Sequence, residues 1–266
     1  MSHVMRVVTI NTGKGDGSYT RRLELLASGL ERLQPDVVLL QEALAICDGS
    51  GHTLNYLAER LDMQAVYAPA RRKQRVVEEQ CVPCASGLGI LSRHTVADSR
   101  VVPLPEHPAD GERIGQLVAI EWQSARILLA NVHLTHLRGQ DQLRRSQFST
   151  MLAHPWFHEP WSARLIGGDF NTASGSLPTL FKYLAGWSWR DGYAQGDGPQ
   201  PRATSPIAGP AEAGRCVDFI LSVAPNATMH PVFSDAAVVL DEPKDGVYPS
   251  DHRGVMVSVT FGEEER

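Results

Sequence analysis

The tripeptide Ser250-Asp251-His252 stands just before the last apolar run of the chain, and it closes a series. Asn11 ends the run MRVVTIN, and Glu42 ends DVVLLQE. His133 ends LLANVH, Asp169 and Asn171 follow RLIGG, and Asp218 sits inside RCVDFIL. One acidic, amide or imidazole group at a strand end can be accidental. Six such places, each on a short β-rich run, predict strand ends that converge on one polar site. Carboxylates, amides and histidines together suit a hard cation and proton transfer.

The series runs from Asn11 to His252, so the whole chain, 1–266, is expected to form one domain. With 266 residues, 42% apolar and 21% charged, there is ample length for a large core. The net charge of −5 argues against indiscriminate nucleic-acid binding, though a local basic groove or a bound metal would offset it. No apolar stretch approaches a membrane span, so stable membrane insertion is not expected. The N-terminal MSHVMRVVTIN enters a strand directly and lacks the pattern of a signal peptide, which predicts a cytoplasmic protein. A monomer is expected. Cys81-Val-Pro-Cys84 is the one close cysteine pair; it has no second pair to complete a zinc site and no thioredoxin-like surroundings. A loop with reduced thiols is the simpler reading.

Along the chain, Val4 to Ile10 reads as a buried strand and Gly13 to Gly17 as a flexible glycine-rich loop without Walker spacing. Tyr19 to Leu33 reads as an amphipathic helix with Leu23, Leu26, Leu30 and Leu33 on one face. Val37 to Leu40 is a second strand, and Thr53 to Leu61 a helix with Thr53 as its N-cap. Arg71-Arg72-Lys73-Gln74-Arg75 is a basic cluster that reads either as solvated surface or as a contact for phosphate. Strands follow at Gly87 to Ser92, Leu117 to Trp122 and Arg126 to His133. Helices are expected at Asp141 to His154 and Leu177 to Leu184, a loop over 197–214, strands at Cys216 to Leu221 and Gly254 to Phe261, and a polar tail at Glu263 to Glu265. Strict βα alternation is absent. That favours α/β architecture with mixed sheets packed together and helices outside, over a simple parallel sheet.

Each candidate residue has a functional and a structural reading. Glu42 after VVLLQ is costly to bury unless paired or bound to a cation; otherwise it is a surface charge or a helix cap. Asn11 is a ligand or a turn residue. In Gly168-Asp169-Phe170-Asn171, Asp and Asn two apart can face one side of an extended segment, or can form an Asx-turn. Asp218 within an apolar run needs a partner. His252 is the obvious one, since an aspartate fixes the imidazole tautomer and raises its basicity; a salt bridge to Arg215 is the alternative. His133 continues its strand directly and is the stronger candidate, whereas His136 also reads as a surface loop residue.

Taken in order, Thr9-Ile10-Asn11, Leu40-Gln41-Glu42, Gly87 to Arg93, Asn131 to Leu134, Gly168 to Asn171, Val217 to Ile220 and Ser250 to His252 resemble the endonuclease/exonuclease/phosphatase superfamily, the exonuclease III and deoxyribonuclease-like proteins. The resemblance spans nearly the whole chain. It implies a four-layer α/β sandwich of two mixed, mainly antiparallel sheets flanked by helices. It also implies a divalent-metal-dependent phosphoesterase, with Mg²⁺ first and Mn²⁺ second. Carried over by motif, Glu42 is the principal metal ligand with Asn11 beside it, and Asp251 lies at the metal or its water. His252 is the catalytic histidine and Asp218 its orienting partner. Asp169 and Asn171 handle the attacking water and phosphoryl oxygens, and His133 contacts the phosphate.

The expected substrate is a phosphate ester, a diester rather than a monoester, and nucleic acid stays open as a partner. A nuclease or DNA-end-processing enzyme is the first alternative. A catalytically silent binding protein that keeps the fold is the second. The complete set of Glu42, Asp169, Asp218 and His252 argues against the latter.

Overall fold

A computed structural model of the chain describes residues 4–123, 125–182, 185–207, 214–226 and 229–261. The polar tail and part of the loop over 197–214 lie outside these residues. The first half of the chain builds one six-stranded sheet from β1 (Val4–Asn11), β2 (Val37–Ile46), β3 (Gln64–Val77) and β4 (Gln80–Ser92). Its order is β11-β12-β1-β2-β4-β3, completed by β11 (Val232–Val239) and β12 (Gly254–Thr260). The second sheet holds β5 (Val96–Pro103), β6 (Ile114–Trp122), β7 (Ala125–His133), β8 (Ala163–Asp169), β9 (Trp187–Asp191) and β10 (Asp218–Pro225) in the order β5-β6-β7-β8-β10-β9.

Each sheet contains one parallel pair, β1/β2 and β7/β8, and is otherwise antiparallel. A parallel pair needs a crossover, and both crossovers are helices: α1 (Tyr19–Leu33) in the first and α3 (Asp141–Leu152) in the second. The helix α2 (Thr53–Leu61) lies beside α1, and short turns α4 (Pro178–Phe181) and α5 (Gly192–Gln195) complete the set.

The unbroken apolar runs follow from burial of both strand faces. Successive side chains point to opposite sides. Val7, Leu39, Leu129 and Leu165 therefore enter the core between the sheets, with Ile220 and Val257. Their neighbours Val8 and Leu40 pack under Leu23, Leu26, Leu30 and Leu57 of α1 and α2. Leu128, Ala130 and Ile166 pack under Phe148 and Met151 of α3. The result is the four-layer sandwich that the sequence led us to expect.

Several local expectations change. Thr53 does not cap α2: His52 does, its Nδ1 accepting from Asn55 N at 3.3 Å. The Thr53 hydroxyl instead meets Tyr19 Oη at 3.0 Å and accepts from Leu44 N, tying α2 to α1 and β2. Cys81 and Cys84 are not in a loop; they open β4, which pairs with β3 in a long hairpin. The basic cluster 71–75 is therefore strand. The helix expected at 177–184 shrinks to one turn, Pro178–Phe181, with 183–184 outside the described residues. Asp218 begins β10 rather than lying inside it, because the N–H groups of Val217 and Asp218 both donate to Thr204 Oγ1.

Candidate active site

The two parallel pairs decide where chemistry can gather. Parallel strands end together, so Asn11 and the end of β2 emerge at one edge of the first sheet, with Asn11 opposite Gln41. In the second sheet His133 stands opposite Asp169. The antiparallel β10 starts at that same edge, with Asp218 opposite Asp169. β12 runs against β1, which sets Ser250-Asp251-His252, just before it, above the end of β1. Asn11, Glu42, His133, Asp169, Asn171, Asp251 and His252 all line one cleft of about 260 Å³, and Asp218 lies wholly buried behind it.

Asp169 is the hub. Its Oδ2 accepts from Asn11 Nδ2 at 3.1 Å and lies 3.5 Å from His133 Nε2 and 4.0 Å from His252 Nε2. Asn171 N donates to its Oδ1 at 2.9 Å. The Asx-turn and the site reading of Asp169 and Asn171 are thus both realised. Burial, reinforced by the Asp218 charge and offset in part by His252, pushes the Asp169 carboxyl up to about 7.

Behind it, His252 Nδ1 meets Asp218 Oδ2 at 2.9 Å, so Asp218 pairs with the histidine rather than with Arg215. Burial opposes a charged ring here. Asp218, followed by Asp169 and Asp251, overrides it and lifts His252 to about 10. His133 goes the other way, well below its ordinary value, through burial first and then the charges of Arg113 and Lys14. One imidazole is held charged and the other neutral in the same cleft.

Glu42 occupies a break in the β2/β4 register between Leu40 and Ala43, with φ at 56°. Positive φ at a long side chain is uncommon and costs about 1–3 kcal/mol. The bulge turns Glu42 out of the ladder, where its Oε1 lies 2.7 Å from Lys14 Nζ and 3.9 Å from His133 Nδ1. Ser250 Oγ bridges Asn11 O and Asp251 Oδ1, at 2.5 and 3.2 Å. Gly13 has to be glycine: a Cβ there would come within 2.5 Å of Asp251 Oδ1. Gly168 is equally constrained, since a Cβ would meet Val132 O at 2.0 Å.

Sequence reasoning missed the groups that hold this arrangement. Arg22 of α1 donates to the carbonyls of Thr12, Gly13 and Lys14, so the glycine-rich loop is fastened rather than free. Arg113 grips the buried Asp110 through Nε and Nη2, at 3.0 and 2.6 Å, and reaches His133 O at 3.3 Å. The i,i+3 spacing of Asp110 and Arg113 was the only available signal. His136, with its side chain 57% exposed, joins that pair at the cleft mouth, 3.1 Å from Asp110 Oδ1.

Among the described residues, two sets of groups could hold a cation. Asp169, Asp218 and His252 offer ligand atoms within 4.8 Å of one another. His252 Nδ1 and Asp218 Oδ2 are, however, already spent on each other. Glu42 and Asp251 supply carboxylate oxygens at the cleft, with Asn11 Oδ1 beside them accepting from Gly13 N at 3.0 Å, and a cationic ammonium already sits on Glu42. Oxygen donors of this kind suit hard divalent ions.

Solved structures share this arrangement of sheets. A family protein from Leptotrichia buccalis superposes with a TM-score of 0.73 at 16% identity, covering 97% of this chain and 100% of its own. A protein from Bacteroides vulgatus gives 0.75 at 15% identity, covering 98% and 100%. D. rerio TDP2, complexed with a single-strand DNA product, gives 0.72 at 20% identity, covering 97% and 99%. No curated protein matches the sequence. Among the described residues no helix is long and apolar enough to cross a membrane. The family profile matches residues 8–252, from β1 to His252 just before β12, and the chain belongs to the endonuclease/exonuclease/phosphatase family.

Proposed function

We propose that the chain is a phosphodiesterase that hydrolyses P–O bonds by in-line attack of an activated water. The family is one of divalent-metal-dependent phosphoester hydrolases. The observation that carries the reading is the environment of Asp169: one buried carboxylate, pushed up to about 7, within 4.0 Å of Asn11, His133 and His252 at the floor of an open cleft. A base near neutrality is the right strength to take a proton from water at neutral pH.

Roles follow from position. Asp169 orients water and accepts its proton. His252, kept charged by Asp218, donates to a phosphoryl oxygen as negative charge builds there. His133 and Asn171 add donors at the same wall. Glu42, Asp251 and Asn11 are the ligands we assign to Mg²⁺, with Mn²⁺ as the substitute. When bound, such an ion neutralises phosphoryl oxygens and stabilises the leaving oxygen. A site assembled from Asn11 through His252 supports reading 1–266 as one domain.

A second reading, a nuclease or DNA-end-processing enzyme, is favoured by the likeness to TDP2, whose structure carries a single-strand DNA product. The deciding experiment is hydrolysis of bis-p-nitrophenyl phosphate, single- and double-stranded DNA, RNA, sphingomyelin and inositol phosphates with Mg²⁺, Mn²⁺ or chelator. No metal-dependent turnover of any diester would end the phosphodiesterase reading.

A further inference from the structure

The cleft has one wall that the catalytic residues leave unexplained. On β3, a bulge at Ala70 resets the register after Pro69, and from there Arg71, Lys73 and Arg75 alternate onto the cleft face. Arg72 is exposed and is not among the cleft residues. Residues two apart on a strand stand about 6.6 Å apart, at about 3.3 Å per residue. The hairpin is fixed in place: Glu78 at its tip accepts from Thr20 N at the start of α1, at 2.7 Å.

These cations form no ion pair among the described residues. Among the described residues no carboxylate lies within ion-pair distance of Arg71, Lys73 or Arg75, in a chain whose net charge is −5. Arg71 donates to a backbone carbonyl, Asp110 O, at 2.6 Å. Arg75 donates to Ser86 Oγ at 3.2 Å, and its buried Nε has no partner. The Lys73 ammonium is held below the usual lysine range, first by Arg75, then by burial, Arg71 and Lys14, and Asp16 offsets this only in part. The acidic groups that line the same cleft are Asp16, Glu42, Asp110, Glu112, Asp169 and Asp251; Glu42 pairs with Lys14 and Asp110 with Arg113. Like charges aligned and unpaired raise the energy of the free protein, and a row of anions lowers it again.

We infer that Arg71, Lys73 and Arg75 form a track for the non-scissile phosphates of a linear polyanion, a single-stranded oligonucleotide whose cleaved phosphate lies at Asp169. A single row of cations on one strand face, spaced on the scale of successive phosphates in an extended strand, matches one phosphate chain. A duplex presents two, and a compact sugar polyphosphate needs cations around it rather than in line. The inference rests on the phosphodiesterase reading for the cleaved phosphate, and binding can be measured without it.

The test uses a labelled oligothymidylate and fluorescence anisotropy in chelator, so that binding is read with no turnover. Lys73→Gln/Arg75→Gln should weaken binding at least tenfold at low salt. It should also reduce the slope of log K against log salt by about 1.4, at about 0.7 per lost contact on a single strand. Lys73→Gln alone, at an exposed side chain with no protein partner among the described residues, should account for about half of that change and leave the thermal midpoint in place. KM for bis-p-nitrophenyl phosphate, which has no second phosphate, should stay constant. Unchanged affinity and slope in both variants would overturn the track, as would a loss seen only with inositol hexakisphosphate. Oligonucleotide binding that both variants weaken, without any metal-dependent hydrolysis, would uphold the track and remove the phosphodiesterase reading instead.

Discussion

Gln41 Nε2 donates to Asn131 Oδ1 at 2.8 Å across the interface between the two sheets, and both side chains are fully buried. Asn131 Nδ2 continues to the carbonyls of Leu40 and Gly89, at 2.9 and 3.0 Å. Glu42 follows Gln41, and His133 lies two residues beyond Asn131. The amide pair therefore sets how the two halves of the cleft face each other.

Asn131→Leu should destabilise the protein by on the order of 3 kcal/mol, because it takes the Asn131 donor from the buried carbonyls of Leu40 and Gly89 and removes the acceptor that ties Gln41 to the second sheet. The rate should fall as well, since the Glu42 and His133 walls lose their common anchor. Urea unfolding and steady-state kinetics on bis-p-nitrophenyl phosphate check both effects. A variant as stable as the parent would show that the pair is dispensable.

His252→Ala should lower kcat by about 10²–10⁴-fold, and it should also lower the thermal midpoint, because the wholly buried Asp218 loses its partner. Asp218→Asn should give a smaller defect of the same kind, by resetting the imidazole tautomer and removing the charge that keeps the ring protonated. The alkaline limb of its pH–rate profile should move to lower pH. An unaltered profile would dissolve the Asp218–His252 pairing as a functional unit.

Without metal, stability should fall as pH rises, in two stages. Asp169 is held at about 7 in the fold and titrates near 3.9 when unfolded. Ionising it therefore costs stability between about 4 and about 7. His252 is held at about 10 against about 6.5 unfolded. Its charged form favours the fold below about 6.5, and that contribution is lost as pH climbs toward about 10. Urea midpoints in chelator should decline over both windows. Asp169→Asn should flatten the lower window and His252→Ala the upper one.

Chelator should abolish hydrolysis, and added Mg²⁺ should restore it. Mg²⁺ at about 100 times its Kd should add about 2.7 kcal/mol to stability by mass action. Glu42→Gln should shrink that gain, because an amide oxygen lacks the full charge of the carboxylate. Calorimetric titration with Mg²⁺ gives the affinity directly. Equal affinity in parent and variant would take Glu42 out of the metal site.

By itself, the sequence determined the core of each sheet and named the polar residues that the fold gathers at one cleft. Runs such as VVTI and VVLL are apolar at every position because both strand faces are covered, so they are readable without knowing their partners. Asn11, Glu42, His133, Asp169 and Asp218 are legible because a polar group at the end of such a run is costly unless it has a task. Tyr19–Leu33 was readable to the residue from its leucine spacing.

The tertiary structure alone decided the rest. The β3–β4 hairpin turns at Glu78 and Glu79, both at positive φ (48° and 65°). Such a turn ordinarily announces itself with Asn-Gly or Gly-Gly. Here the helix α1 holds it through Glu78, a contact 58 residues away in the chain. Hence the sequence left the basic stretch 71–75 open between solvated surface and phosphate contact, and only the fold turns its alternate residues to the cleft. The same holds for Arg113, Arg22 and the Gln41–Asn131 pair. Gln41 and Asn131 are 90 residues apart, and no local pattern specifies a hydrogen bond that only the packing of two sheets brings within reach; Arg22 and Arg113 bond to nearer residues, but to loop carbonyls and a loop carboxylate whose placement no periodicity marks.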